Sequence, residues 1–265
     1  MKELLTAWDL EPTVIAGGLA LLAAYLASHP WRDRRAALFF AGDLMLVLAL
    51  ISPLDVLADN YLFSAHMVQH LILVLVVPPL FLLGVSESFV RAVLTLPPLA
   101  KMERFLSRPA VAWVLFVATL WLWHIPALYD ATLASESVHV FEHMTFLVTA
   151  TIFWWPILSP LKSLRLTPAS AIAYLFAAAL SNSLLGILLT FSRAGLYASY
   201  LNPVDRYGLG SLLRGWWGLD PATDQQLGGL IMWVLGGLVF LGAILGVLAR
   251  WQRALEPEEC WSASR

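Results

Sequence analysis

Charge is scarce in this chain. Only 13% of its 265 residues are Asp, Glu, Lys or Arg, against roughly a quarter in an ordinary soluble domain. The net charge of −2 gives nucleic-acid binding no electrostatic footing. A single cysteine, Cys260, excludes an internal disulfide, a CxxC redox pair and a thiolate metal cluster. The opening MKELLTAWDLEPT lacks the basic start that a cleavable secretion signal requires, so the apolar run after it reads as a retained helix. No nucleophile–base arrangement is evident, which argues against a hydrolase and for a protein that is not an enzyme.

What the chain has in abundance is apolar surface, with 60% hydrophobic residues. Apolar stretches near 13–28, 36–51, 64–84, 110–124, 138–158, 168–191 and 226–249 predict an all-α, polytopic transmembrane helix bundle of about seven spans, forming one integral membrane domain over 1–265. Prolines punctuate the joints, at Pro30, Pro53, Pro97, Pro98, Pro109, Pro126, Pro160, Pro168, Pro203 and Pro221. Pro78 and Pro79 lie inside the third span and predict a kink, tolerable where neighbours satisfy the freed carbonyls.

Basic residues set the orientation. Arg32, Arg34 and Arg35 follow span one; Arg91, Lys101, Arg104 and Arg108 follow span three. Lys162 and Arg165 follow span five, and Arg250, Arg253 and Arg265 follow span seven. These are 12 of the 16 Lys and Arg; the alternate side holds only Lys2, Arg193, Arg206 and Arg214. The expected N-terminus is therefore outside, with a cytoplasmic tail over 250–265.

Against this background stand five histidines. His66/His70 and His139/His143 are i,i+4 pairs, each presenting two imidazoles on one helix face, and His124 closes the run WLWHIP. The inferred topology brings all five to the outer ends of spans three, four and five; His29 falls at the opposite end of span one. Neutral imidazole is the commonest metal ligand and suits copper, zinc, iron or nickel. Two pairs could supply four nitrogens, with His124 as a fifth ligand or an orienting partner. Met67 and Met144 each follow a paired histidine, and a thioether favours copper, although neighbouring side chains on a helix diverge by about 100°. A haem b held by one histidine from each pair is the rival occupant. The bland alternative is that such rings serve as amphipathic groups at the membrane surface.

Several acids share the region. Asp43 lies within span two, where a charge is costly, and is expected to pair with Asn182 or Ser181 or to line a polar cavity. Asp55, Asp130, Glu142 and Asp224 sit near outer helix ends, where a carboxylate caps a helix, orients a histidine or ligates directly. The sequence GGLIMWVLGG offers small residues for close helix contact, and most of the twelve tryptophans flank spans as interfacial anchors. The outer loop over 192–225 is long enough to cap a site or dock a partner.

The stretch SPLDVLADNYLFSAHMVQHLILVLVVPPLFLLG resembles the multi-span CtaG family of cytochrome c oxidase assembly factors, the type associated with caa3 oxidases. The likeness continues through LWHIPALYDATLASESVHVFEHMTFLVTATIFWWPIL, LGILLTFSRAGLYASY and DQQLGGLIMWVLGG. It implies a multi-pass protein of the bacterial inner membrane that matures a haem–copper oxidase, plausibly by supplying copper to its catalytic subunit. The family motif falls on His66, Met67, His70, His124, His139 and His143. The partners implied are haem–copper oxidase subunits and the lipid bilayer. A membrane electron carrier with haem b and a metal transporter are the competing functions; transport wants polar groups through the bilayer, and mainly Asp43 and Asn182 offer them.

Overall fold

Proline starts most of the helices. Its fixed φ and missing N–H suit the first helical turn, where the N–H has no partner in any case. The computed structural model describes residues 4, 6–29 and 34–255, and among these it is all-helical with no strand. The helices are α1 (Pro12–Ser28), α2 (Arg34–Ile51), α3 (Pro53–Asn60), α4 (Phe63–Gly84), α5 (Glu87–Val93), α6 (Pro97–Leu106), α7 (Pro109–Trp123), α8 (Pro126–Ala134), α9 (Glu136–Leu158), α10 (Pro168–Phe191) and α11 (Pro221–Leu255). Seven of them carry proline in the first turn: α1, α3, α6, α7, α8, α10 and α11. Lys2, Pro30, Arg32, Cys260, Arg265 and the expected tail beyond 255 lie outside the described residues.

Three described helices, α4, α10 and α11, are long and apolar enough to cross a membrane. Two bent pairs raise the number to five, with α2 and α3 meeting at 46° and α6 and α7 at 73°. The stretches near 13–28 and 138–158 form helices but do not meet that standard. Helix α1 is apolar but has only 17 residues. Helix α9 has 23 residues, and its histidines, glutamates and threonines dilute its apolar run. Leu19, Leu44, Val114, Phe141, Phe176 and Leu238 all point outward, the pattern of a bundle whose solvent is lipid.

Helix α4 is the hub. It packs against α2, α3, α9 and α11, and 56% of its apolar window is buried, against 39% for α10 and 22% for α11. Pro78 and Pro79 act on it through a widened turn over Ile72–Val76. Pro78 has no N–H to give the carbonyl of Val74, and the indole Nε1 of Trp154 on α9 donates there instead, at 2.9 Å. Trp154→Phe keeps the ring but leaves that carbonyl buried and unpaired. It is expected to destabilise the bundle by about 1–3 kcal/mol, read as a lower melting temperature in detergent at unchanged helix content.

Helix α11 has a second widened turn, over Ile231–Leu235. There the amide Nδ2 of Asn182 donates to the carbonyl of Met232 at 2.7 Å. This corrects the expected pairing of Asn182 or Ser181 with Asp43. Asn182 is committed to α11, and Ser181 accepts from the Trp121 indole at 2.9 Å. Asp43 lies buried against Gly18 of α1, with its Oδ1 unpartnered. The helices holding these residues expose them to different neighbours.

The small residues of GGLIMWVLGG bring α10 and α11 into backbone contact. A Cβ on Gly186 would lie 2.7 Å from the Trp233 nitrogen and 2.9 Å from the Gly229 carbonyl. Residues 192–225 fold back over the end of the bundle that holds the histidines. Ala7 of the N-terminal segment shares a cluster there with Val56, Tyr61, Leu62, Leu209 and Leu213. Asp205 fixes this loop to α3's end by accepting from the Tyr61 hydroxyl at 2.8 Å. That bond, helped by backbone N–H groups of residues 208–210, holds the Asp205 carboxyl below its usual range.

Candidate metal centre

The site is built from the first turns of α4 and α9 and the last turn of α7. Asp224 of α11 sets the start of α4: its carboxylate accepts from the backbone N–H of Phe63 at 2.8 Å, from that of Ser64 at 3.1 Å and from the Ser64 hydroxyl at 2.5 Å. This is an N-cap supplied across the bundle rather than from the preceding residue. It places His66 and His70 one turn apart, aimed at α9.

On α9 the facing residues are His139, Glu142 and His143, at i, i+3 and i+4, which share one side of a helix. The rings of His139 and His143 lie 4.1 Å apart, and those of His66 and His139 5.4 Å. His66, His139, Glu142 and His143 each offer a ligand atom, all within 4.8 Å of one another. Metal–nitrogen bonds of about 2.0–2.1 Å allow ligand atoms to be at most about 4.2 Å apart, so the group need close by only about half an ångström around an ion.

Buried atoms without partners show the same convergence. Nε2 of His139, Nε2 of His143 and both carboxylate oxygens of Glu142 are buried with no hydrogen bond. Glu142 has no exposed surface, and its oxygens stand 3.8 and 3.7 Å from the Nε2 atoms of His66 and His70. Such groups are expensive to leave unsatisfied, and a cation satisfies them all together.

The surrounding bonds orient the imidazoles. The Tyr200 hydroxyl donates to the Ala58 carbonyl at 2.7 Å, so its oxygen is left to accept from His66 Nδ1 at 3.2 Å and from the Tyr129 hydroxyl at 3.1 Å. Burial drives the Tyr200 hydroxyl well above its ordinary range, so it keeps its proton and its role as donor. With the His66 proton on Nδ1, the Nε2 lone pair faces the cluster. His139 Nδ1 lies 3.4 Å from Asp59 Oδ2, the carboxylate–histidine arrangement that leaves Nε2 for a metal. His139 and Asp59 are 12% and 31% exposed at their side chains, whereas the side chains of His66 and Glu142 have no exposed surface.

The other candidates fall elsewhere. His70 Nε2 stands 2.8 Å from His66 Nε2, at the wall of the group. His124 caps the end of α7, with its Nε2 3.5 Å from Met67 Sδ and its ring 6.2 Å from that of His70. Met144 lies outside the site, with 54% of its surface exposed on the far face of α9. Asp130 is also outside, accepting from the hydroxyl of Ser199 at 2.9 Å and so anchoring the loop. Asp55 accepts from Gln69 at 2.6 Å, and Asp224 is the cap described above. Asp43 belongs to the α1–α2 contact and not to the histidine group. His29 accepts from the Ser86 N–H at 3.0 Å, beyond the far end of α4.

Glu142 is among the acids expected to cap, orient or ligate, and its i+3 spacing from His139 puts it on the same face as the histidine pair. Asp59, one turn beyond the expected Asp55, is the carboxylate that meets His139 and carried no signal of its own. Tyr129, Tyr197 and Tyr200 carry no periodic signal; the loop brings them over the site, with the rings of Tyr129 and Tyr197 4.0 Å apart.

The described residues thus form a helical bundle that has helices long and apolar enough to cross a membrane and a buried histidine–carboxylate group at one end, a candidate metal centre. The chain belongs to the cytochrome c oxidase caa3 assembly factor family, whose model matches residues 17–254. It is similar to an uncharacterized protein of Mycobacterium bovis, at 28% identity over 96% of this chain and 40% of that protein. An uncharacterized Mycobacterium leprae protein is 25% identical over 91% of this chain and 38% of its own length. The chain thus spans about two-fifths of the curated relatives it matches. No solved structure matches it significantly.

Proposed function

We propose that this protein carries copper for the assembly of a haem–copper oxidase, holding the ion at His66, His139, Glu142 and His143 and passing it to an oxidase subunit within the membrane. Copper here is cargo, and the protein performs no turnover chemistry. The observation that carries this reading is the set of buried, unpartnered nitrogens and oxygens that converge between α4 and α9. Family membership supplies the client.

In this reading the chain crosses the bacterial inner membrane seven times, with α1 and the helix pairs included, N-terminus outside and C-terminus cytoplasmic. The excess of Lys and Arg beyond the other end of the bundle supports that orientation. The site then opens outward through His139 and Asp59.

Two observations favour this function over the alternatives. The imidazoles stand against one another at ring separations of 4.1–6.2 Å with Glu142 among them, and a porphyrin would have to part these rings. Below them the core is Phe116, Phe146, Phe153, Trp154 and Phe240, an apolar plug where a transporter needs a polar path.

The test is metal analysis and an optical spectrum of the protein purified in detergent. About one copper per chain or more after loading, without a Soret band, is the expected result. A Soret band, or failure to retain copper after loading, overturns the reading.

A further inference from the structure

Outside the four-residue group stands a pair of atoms that the proposed carrier site does not use. His124 Nε2 faces Met67 Sδ at 3.5 Å, both residues being buried. The other ring nitrogen, Nδ1, is 2.7 Å from the Leu120 carbonyl, which can only accept, so Nδ1 carries the proton. In the neutral ring Nε2 then has a lone pair and no hydrogen. A thioether sulfur also has only lone pairs to offer. Two acceptors therefore face each other with no proton between them, in a place closed to water.

This arrangement is held from several sides. Tyr197 donates its hydroxyl to the His124 carbonyl at 3.0 Å, and the Leu120 bond fixes the ring. Met67 has no exposed surface, and its helix start is pinned by Asp224. A third donor is at hand. His70 Nδ1 is buried and unpartnered, and its ring stands edge-on to that of His124 at 6.2 Å. His70 Nε2 donates to His66 Nε2 until an ion takes that lone pair, so the free lone pair of His70 is the one on Nδ1.

We propose that His124 and Met67, with His70 as third donor, form a second metal subsite, separate from the carboxylate-bearing group and selective for a soft monovalent ion, Cu(I). The distance fits. With bonds of about 2.0 Å to nitrogen and 2.3 Å to sulfur, a 3.5 Å separation sets a donor–metal–donor angle of about 110°, open enough for a third ligand and too bent for a two-coordinate ion. Ligand chemistry sorts the two sites. Two neutral nitrogens and a thioether select the cuprous ion, whereas three imidazoles and a carboxylate also accept divalent ions. His66 and His70 form the wall between them. A cuprous ion taken in at His139 thus has a softer resting place within the same bundle, with no change of oxidation state.

This inference rests on the copper-carrier reading, and its test separates the two. The full chain in detergent is titrated with Ag(I), a redox-inert stand-in for Cu(I), and separately with Cu(II). Metal–ligand distances are read by X-ray absorption. The expected results are sulfur in the Ag(I) shell and at least a 10-fold loss of Ag(I) affinity in Met67→Leu and His124→Ala, with Cu(II) binding retained in both. Met67→Leu conserves volume, so loss of fold does not confound it. His139→Ala is expected to do the reverse, losing Cu(II) and keeping sulfur-bound Ag(I). A nitrogen-only Ag(I) shell, or Ag(I) affinity unchanged in Met67→Leu, overturns the subsite while leaving the carrier reading intact if Cu(II) still binds. Failure of the unaltered protein to bind either ion overturns both.

Discussion

Cu(II) affinity is expected to fall by more than about 100-fold in His66→Ala and in His139→Ala, and to be unchanged in His29→Ala. The first two substitutions each remove a nitrogen from the group that also holds Glu142 and His143. They also leave the Glu142 carboxylate buried beside a smaller set of partners, which opposes collapse of the remaining ligands onto an ion. His29 is the internal control. It stacks on Tyr25 at 4.4 Å and accepts from the Ser86 N–H, at least about 20 Å along α4 from the site by helix rise. Its loss costs packing at that end and no ligand. Competition against a chromophoric copper chelator, on protein whose helix content is verified, reads all three. Equal losses in the three variants would mean that the group does not hold the copper. Asp59→Asn probes the same site more gently, because Asp59 touches His139 and not the ion.

The largest structural effect is expected from Gly229→Val. A Cβ there would sit 2.5 Å from the Thr190 nitrogen and 2.9 Å from the Gly186 carbonyl, both backbone atoms that no rotamer change can move. Helices α10 and α11 must part, and overpacking of this kind costs about 3 kcal/mol or more. A drop in melting temperature of about 6–12 °C follows for a chain of this size. Gly237→Val is the comparison, since nothing lies within 4 Å of its Cβ position, and its melting temperature should stay close to that of the parent. If the two variants melt alike, the close approach of α10 and α11 is not what the glycines serve.

The spacing of histidines carried part of this site in advance. An i,i+4 pair points both its members one way whatever the tertiary structure does, so each two-imidazole face on α4 and α9 could be read from one-dimensional pattern alone. Loop-borne residues offered no such constraint. Tyr197 and Tyr200 reach the site through a turn whose path depends on Asp130, Asp205 and Arg214, each fixed by contacts distant in sequence. Asp43 shows a second limit. Periodicity says that a polar residue lies in a span but not which neighbour its face meets, and rotation of α2 put it against α1. The widened turns in α4 and α11 escaped for a third reason: which side chain takes the freed carbonyl is decided by Trp154 and Asn182, on other helices.

The Asp224 cap couples the order of synthesis to the competence of the site. All five clustered histidines have been made by residue 143, yet the carboxylate that fixes the first turn of α4 arrives only with α11, more than seventy residues later. A nascent or truncated chain ending before Pro221 holds every imidazole and lacks the restraint that aims two of them. The last described helix thus sets the first turn of the helix that bears His66 and His70.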